Sequence, residues 1–142
     1  MPNIKKAKKP YQVFISHATA DKWIATIFCE KIEATGAKAF RDDRDIDGGE
    51  DIPDRIRTEM KRSNELVLLL TPHSARADSD WVRIEAGAAW GWKKIQITAV
   101  MCHSNVDQLP GIIKSKKAIN INEFPEFCIQ LASRVKQYHK KK

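Results

Sequence analysis

Residues 65–70 read Glu-Leu-Val-Leu-Leu-Leu, an apolar run that Thr71-Pro72 ends. A strand with one wet face alternates apolar and polar side chains, whereas a strand apolar at five successive positions has to be covered on both faces. Coverage on both sides calls for a sheet sandwiched between helices, which is the arrangement of parallel α/β domains.

The flanking sequence supplies the other parts. Gln12 to Ser16 is a short strand around Val13, Phe14 and Ile15. Ala20 to Thr35 carries Ile24, Ile27, Phe28 and Ile32 at helical spacing, with Thr19 or Asp21 as the expected N-cap and Gly36 as the stop. Ala37 to Phe40 reads as a second strand. Ile52, Ile56 and Met60 mark a second helix, with Pro53 tolerated in its first turn. Ser79 to about Lys93 reads as a helix, Ile95 to Met101 as a fourth strand and Ala118 to Ile121 as a fifth. Asn105 to Lys114 is irregular or a short helix broken by Pro110-Gly111. Glu123 to about Tyr138 is the last helix, with Phe127, Ile129, Leu131 and Val135. Repeated βα units predict a doubly wound α/β domain, with ligands at the carboxyl ends of its strands where the strand order reverses. Those ends are Ser16-His17-Ala18-Thr19, the stretch from Arg41 to Gly49, and Thr71 to Arg76.

A chain of 142 residues is long enough for one core, and 42% hydrophobic with 30% charged residues is an ordinary globular balance. No apolar run reaches the length of a membrane span, and Met1 to Pro10 lacks the apolar stretch of a secretory signal. Cys29, Cys102 and Cys128 are widely spaced and odd in number, which argues against a disulfide framework and for a reducing, cytoplasmic setting. All three fall in core or near-core patterns. With no C-x-x-C and four scattered histidines, neither a structural zinc nor any other metal is expected. The net charge of +7 comes from the ends: Lys5, Lys6, Lys8 and Lys9, and Lys136, Lys140, Lys141 and Lys142. Without these eight lysines the body is slightly acidic. The division is therefore a basic tail (1–10), a folded domain (11–138) and a second basic tail (139–142). The body has no basic stripe of the kind that reads nucleic acid, and no membrane partner is implied.

Glu85 is the candidate for chemistry. Ile84, Ala86, Gly87, Ala88 and Ala89 surround it with almost nothing polar, and Trp81 lies four residues earlier, on the same face of a helix. A carboxylate in apolar surroundings is costly unless it is paired or set at a cleft, and such groups often have a function. Taken alone, a helix glutamate more often points to water. Its place just after the third strand's loop favours the sharper reading. His17 either lines that edge or caps the next helix, and His73 and Ser74 read as turn residues. Gly48-Gly49 has no G-x-G-x-x-G context.

Four segments in order resemble the Toll/interleukin-1 receptor (TIR) domain, of the bacterial enzymatic type: Val13-Phe14-Ile15-Ser16-His17, the stretch from Phe40 to Gly49, Leu68-Leu69-Leu70-Thr71-Pro72, and Ser79-Asp80-Trp81-Val82-Arg83-Ile84-Glu85. The resemblance runs from about Tyr11 to Val135. It implies a flavodoxin-like, doubly wound, five-stranded parallel sheet of order 2-1-3-4-5 flanked by helices. It also implies cleavage of the nicotinamide–ribose bond of NAD+, which is substrate rather than cofactor, to give ADP-ribose or a cyclic isomer. Carried over by position, Glu85 matches the catalytic glutamate and Trp81 its aromatic neighbour. Ala18 and Thr19, beside Ser16 and His17 in the first loop, match nucleotide-contacting positions, and so does Asp47 in the BB loop. Some animal members carry two arginines where this chain has Ala18 and Thr19, which shifts any phosphate contact to Arg41, Arg44, Arg76 or backbone N–H groups at the next helix. The family also implies self-association involving the BB loop, a sensor or effector partner, and a role in antiphage defence.

The chemistry of NAD+ suits a single carboxylate. Most glycosidases use two, because a poor leaving group needs a proton. Nicotinamide leaves a cationic pyridinium as a neutral molecule, so Glu85 would only have to stabilise an oxocarbenium-like ribose. Two other readings remain open: a non-catalytic TIR scaffold, and a nucleoside deoxyribosyltransferase-like enzyme on the same kind of sheet.

Overall fold

The computed structural model describes residues 9–41, 54–73, 95–103 and 117–140. Five strands form one all-parallel sheet: β1 (Gln12–Ser16), β2 (Lys38–Arg41), β3 (Glu65–Leu70), β4 (Gln96–Met101) and β5 (Lys117–Asn120). Their spatial order is β2-β1-β3-β4-β5, the flavodoxin-like order. Three helices are described: α1 (Lys22–Glu33), α2 (Asp54–Arg62) and α3 (Phe124–Lys140).

Every residue of β3 is buried. Val67 and Leu69 point into one core, with Val13, Ile15 and Val100 of neighbouring strands, Ala25, Phe28 and Ile32 of α1, and Phe127, Leu131 and Val135 of α3. Leu66, Leu68 and Leu70 point into the other, with Phe14, Ile97 and Ala99 and with Ile56 and Met60 of α2. The apolar run thus has two faces because it has two cores. Helix spacing follows from the same demand: Ala25, Phe28 and Ile32 share one side of α1, and Phe124, Phe127, Leu131 and Val135 one side of α3.

The helix ends follow sequence chemistry, with one exception. Gly36 closes the α1 turn at φ +97°, a left-handed conformation that glycine adopts without strain. At α3, the Asn120 side chain accepts the Asn122 N–H at 2.9 Å and Glu123 accepts the Asn120 N–H at 3.0 Å, a reciprocal cap. The exception is α1, which is preceded by a 3-10 turn over Thr19–Asp21 and receives no side-chain cap from Thr19 or Asp21. The cap expected of Asp21 is absent because its carboxylate is engaged elsewhere. Cys29, Cys102 and Cys128 form no disulfide and are half-buried against the α1/α3 core, as their patterns implied. Among the described residues no helix is long and apolar enough to cross a membrane.

One polar group crosses the core at the amino end of β3. Glu65 is 1% exposed and takes a forked contact from Arg134 of α3, Nε to Oε2 at 2.7 Å and Nη2 to Oε1 at 3.0 Å. Tyr11 also donates its hydroxyl to Glu65 Oε2. The Arg134 guanidinium lies 5.5 Å from the Phe127 ring centre. Burial, then the neighbouring Glu65 carboxylate, pushes the Tyr11 phenol well above its ordinary value of 10.0. Folding therefore holds the Tyr11 proton more tightly than the unfolded chain does, and stability falls as pH climbs above 10.

Removing one partner of a buried pair leaves a charge without compensation. Arg134→Met is expected to cost about 3 kcal/mol in urea unfolding, and Glu65→Met with Arg134→Met together markedly less than that. Tyr11→Phe should cost about 1 kcal/mol at neutral pH and flatten the loss of stability above pH 10. Equal losses in the single and double variants would contradict the pairing.

Candidate functional site

The strand order reverses between β1, whose chain turns toward β2, and β3, whose chain passes on toward β4. The crevice of a doubly wound sheet opens at that reversal, above the carboxyl ends of the two strands. The strands end at different heights. Ser16, the last residue of β1, pairs with Leu68, while β3 continues through Leu69 and Leu70 alongside Val100 and Met101. β3 and β4 therefore project two residues past β1, and residues 17–21 fold beside that step.

Asp21 closes the step. Its carboxylate is buried and accepts the Thr71 hydroxyl at 2.5 Å, joining the turn after β1 to the turn after β3. Thr71 Oγ1 also accepts the His73 backbone N–H at 3.1 Å, which fixes the turn through Pro72. The Asp21 N–H donates to the Ala18 carbonyl at 2.9 Å, and the Cys102 N–H to the Leu70 carbonyl at 2.8 Å. The first residues after β1, β3 and β4 are thus held by short polar contacts at one edge. Burial, then the Asp21 carboxylate, pushes the Cys102 thiol above its ordinary range, so Cys102 is kept as a neutral thiol and is a poor nucleophile.

The first-loop residues divide by burial. Ser16, His17 and Ala18 are buried, and Thr19 is exposed. His17 is 2% exposed and its Nδ1 lies 2.7 Å from the Ala18 carbonyl. A carbonyl only accepts, so Nδ1 carries the proton in that contact, and His17 braces its own loop instead of capping α1. Of these four residues, Thr19 alone has its side chain open to solvent. Arg41, one of the cations considered for phosphate contact, donates from Nη1 to Thr26 Oγ1 of α1. Glu85, Trp81, Asp47, Arg44 and Arg76 lie outside the described residues. No group of three or more His, Cys, Asp or Glu side chains with metal-ligand geometry occurs among the described residues.

The Asp21–Thr71 link was missed in the sequence. Asp21 stands where a helix cap is expected, and a capping reading is sufficient for an aspartate before a helix. The signal for the other role lies 50 residues away in Thr71, and only strand pairing brings the two together.

Thr71→Val keeps the shape but leaves the Asp21 carboxylate without that donor, and is expected to cost about 2 kcal/mol in chemical denaturation. Asp21→Asn removes the negative charge beside Cys102, so the thiol should ionise at lower pH. The pH profile of Cys102 alkylation should then shift to the acid side of wild type, which can be followed by mass spectrometry. An unmoved profile would show that Asp21 does not act on the thiol.

Comparison with known proteins agrees with this topology. No curated protein matches the chain significantly. Among solved structures, a metazoan TIR-STING receptor from C. gigas, in complex with 2',3'-cGAMP, superposes with a TM-score of 0.66 at 22% identity. That match covers 87% of this chain and 39% of the receptor's. A second structure of the C. gigas TIR-STING receptor gives 0.63 at 23% identity, over 87% and 40% of the two chains. This chain thus spans about two-fifths of the receptor's length. The TIR domains of the activated Roq1 resistosome, which directly recognises the pathogen effector XopQ, give 0.59 at 14% identity, over 92% of this chain and 98% of that one. These likenesses establish the fold. The family model described as the TIR domain matches residues 13–131, from the first strand into the last helix, and the chain belongs to the TIR-domain family.

Proposed function

We propose that this TIR domain is an NAD+ nucleosidase that cleaves the nicotinamide–ribose bond, with Glu85 as its catalytic carboxylate. The observation that carries the reading is the sequence Trp81-Val82-Arg83-Ile84-Glu85, downstream of β3 in a TIR domain whose reversal point lies between β1 and β3. The carboxyl edge there offers an exposed Thr19 over a buried floor of Ser16, His17 and Ala18 for the nucleotide. Asp47 and Trp81 complete the proposed substrate contacts.

In the proposed reaction the C1'–N bond breaks and its electron pair stays on the nicotinamide nitrogen, so nicotinamide leaves neutral. The ribose is left as an oxocarbenium ion, which the Glu85 carboxylate stabilises electrostatically. Water adding at C1' and losing a proton gives ADP-ribose, and attack by an adenine nitrogen gives a cyclic isomer. A drier site favours the second route, because it keeps the competing water away. A general acid is unnecessary, and so is a thiol nucleophile, in keeping with a Cys102 held neutral.

Assembly is part of the proposal. Trp23 on α1 is 76% exposed and Ile129 on α3 is 64% exposed. Large apolar side chains left in water on two helices suit a surface that a second TIR domain covers. The domain would then act when clustered, with the BB loop contributing to the contact, under a sensor or effector partner in a bacterial antiphage response in the cytoplasm.

The test is incubation of concentrated protein with NAD+ and identification of products by mass. Wild type should release nicotinamide, and Glu85→Gln should lose at least a hundredfold in rate, as expected for removing a transition-state charge. The rate per molecule should rise with protein concentration. Absence of turnover in crowded protein would favour the scaffold reading. Equal rates in wild type and Glu85→Gln would remove Glu85 from the chemistry.

A further inference from the structure

A second cleft opens at the opposite, amino edge of the sheet. It has a volume of about 350 Å³ and is lined by Lys9, Pro10, Gln12, Lys38, Lys61, Arg62, Asn64 and Tyr138. Four of these are cations and none is a carboxylate. The volume lies at the lower end of the range of small-ligand pockets.

Helix ends account for part of this charge. Lys61 and Arg62 stand in the last turn of α2, where cations offset the carbonyl end of the helix, and Arg62 pairs with Glu59 at 3.1 Å. Neither reason applies to Lys38, the first residue of an edge strand, or to Lys9, which precedes β1. Lys38 is exposed and has no carboxylate partner among the described residues. The charge also extends along the chain. The Tyr138 hydroxyl donates to the Lys9 carbonyl at 2.9 Å, so residues 9 and 138 meet at this edge. Lys5, Lys6 and Lys8 precede that contact in sequence and Lys140, Lys141 and Lys142 follow it. Like charges gathered around a concave surface repel one another and focus a positive potential into it, and an anion bound there relieves the repulsion.

The floor suits a phosphate-bearing ligand. Asn64 is held by its own strand contacts, accepting the Gln12 N–H through Oδ1 at 2.9 Å and donating its N–H to the Gln12 carbonyl at 2.7 Å. Gln12 in turn is fixed by Nε2 contacts to the Glu59 carbonyl at 3.2 Å and Ser63 Oγ at 3.1 Å. The cleft thus has a rigid polar base under flexible cations. Lysines act on phosphate as point charges and arginine as a fork, and several phosphoryl groups in a row would engage more of them than a single ion can.

We propose that the amino-edge cleft is an anion site for a small oligophosphate, of the class carried by nucleoside polyphosphates, separate from the carboxyl-edge site. The proposal does not depend on NAD+ cleavage. Titration calorimetry of the full chain with inorganic tripolyphosphate should show one-to-one binding, weakening at least tenfold between 50 mM and 250 mM salt. Lys9→Gln with Lys38→Gln and Arg62→Gln should weaken it at least tenfold while keeping the wild-type melting temperature. Amide resonances of Lys38, Asn64 and Tyr138 should move, and those of Ser16, Thr19 and Thr71 should not. Absence of binding at millimolar tripolyphosphate overturns the proposal, as do unchanged affinity in the triple variant or shifts confined to the carboxyl edge. Tenfold tighter binding of a single-stranded oligonucleotide or of anionic vesicles would assign the cleft to those polymers or surfaces and also overturn it.

Discussion

A strand apolar on both faces sets the terms for this molecule. β3 places Val67 and Leu69 in one core and Leu66, Leu68 and Leu70 in the other. Full burial of each such side chain is worth about 1.5–3 kcal/mol, so these five contribute roughly 10 kcal/mol, as large as the net stability of a typical domain. That gain requires helices on both sides of the sheet. Helices on both sides require long crossovers, and crossovers make the strands parallel. Parallel strands put all their carboxyl ends on one edge. The candidate site and the opposite basic cleft are both consequences of that alignment, since the two edges of a parallel sheet differ chemically where those of an antiparallel sheet do not.

Buried hydrogen bonds near those two edges tie loops and helices that the apolar cores leave free to slide. At the amino edge Glu65 gathers Tyr11 and Arg134, fixing α3 against the first and third strands. At the carboxyl edge Asp21 gathers Thr71, fixing the first loop against the third. Hydrophobic contact is non-directional and sets how closely α1 and α3 approach each other, as in the Phe28–Phe124 stack at 4.1 Å. A forked ion pair and a charged hydrogen bond are directional, so they set register and rotation. The result is that the described residues after β1 and β3, 17–21 and 71–73, are held to one another by fixed polar contacts.

The fold was legible because it is written in local patterns. β1 and β3 occupy the spans expected from their apolar runs, and the other strands and α1 differ by one or two residues at their ends. Those differences have local causes. The 3-10 turns at Thr19–Asp21 and Ile121–Glu123 take residues that periodicity alone assigns to helix or strand. The site was legible to a smaller degree. Ser16, His17, Ala18 and Thr19 lie at the reversal point as the topology rule requires, but burial separates Thr19 from the other three, and no pattern within five residues encodes that. Asp21–Thr71 and Glu65–Arg134 join residues 50 and 69 positions apart, and such pairs carry no local signature. The lysine tails show the same limit. Their charge is plain in the sequence, whereas the hydrogen bond that joins Tyr138 to Lys9, 129 positions away, is not.

The two edges differ in how an ionic ligand would be held. At the carboxyl edge Asp21 and Thr71 are buried and hydrogen-bonded to each other, so a ligand bound there would meet groups already fixed and pay little reorganisation. At the amino edge the cations are long and solvated, and an oligophosphate would have to order them, losing side-chain entropy for each contact made. Binding there should therefore be governed by charge and salt, and binding at the carboxyl edge by shape and burial. β1 and β3 run from one edge to the other with both faces packed, and interiors packed in that way are stiff and transmit strain, so the two edges are joined by the most rigid part of the fold.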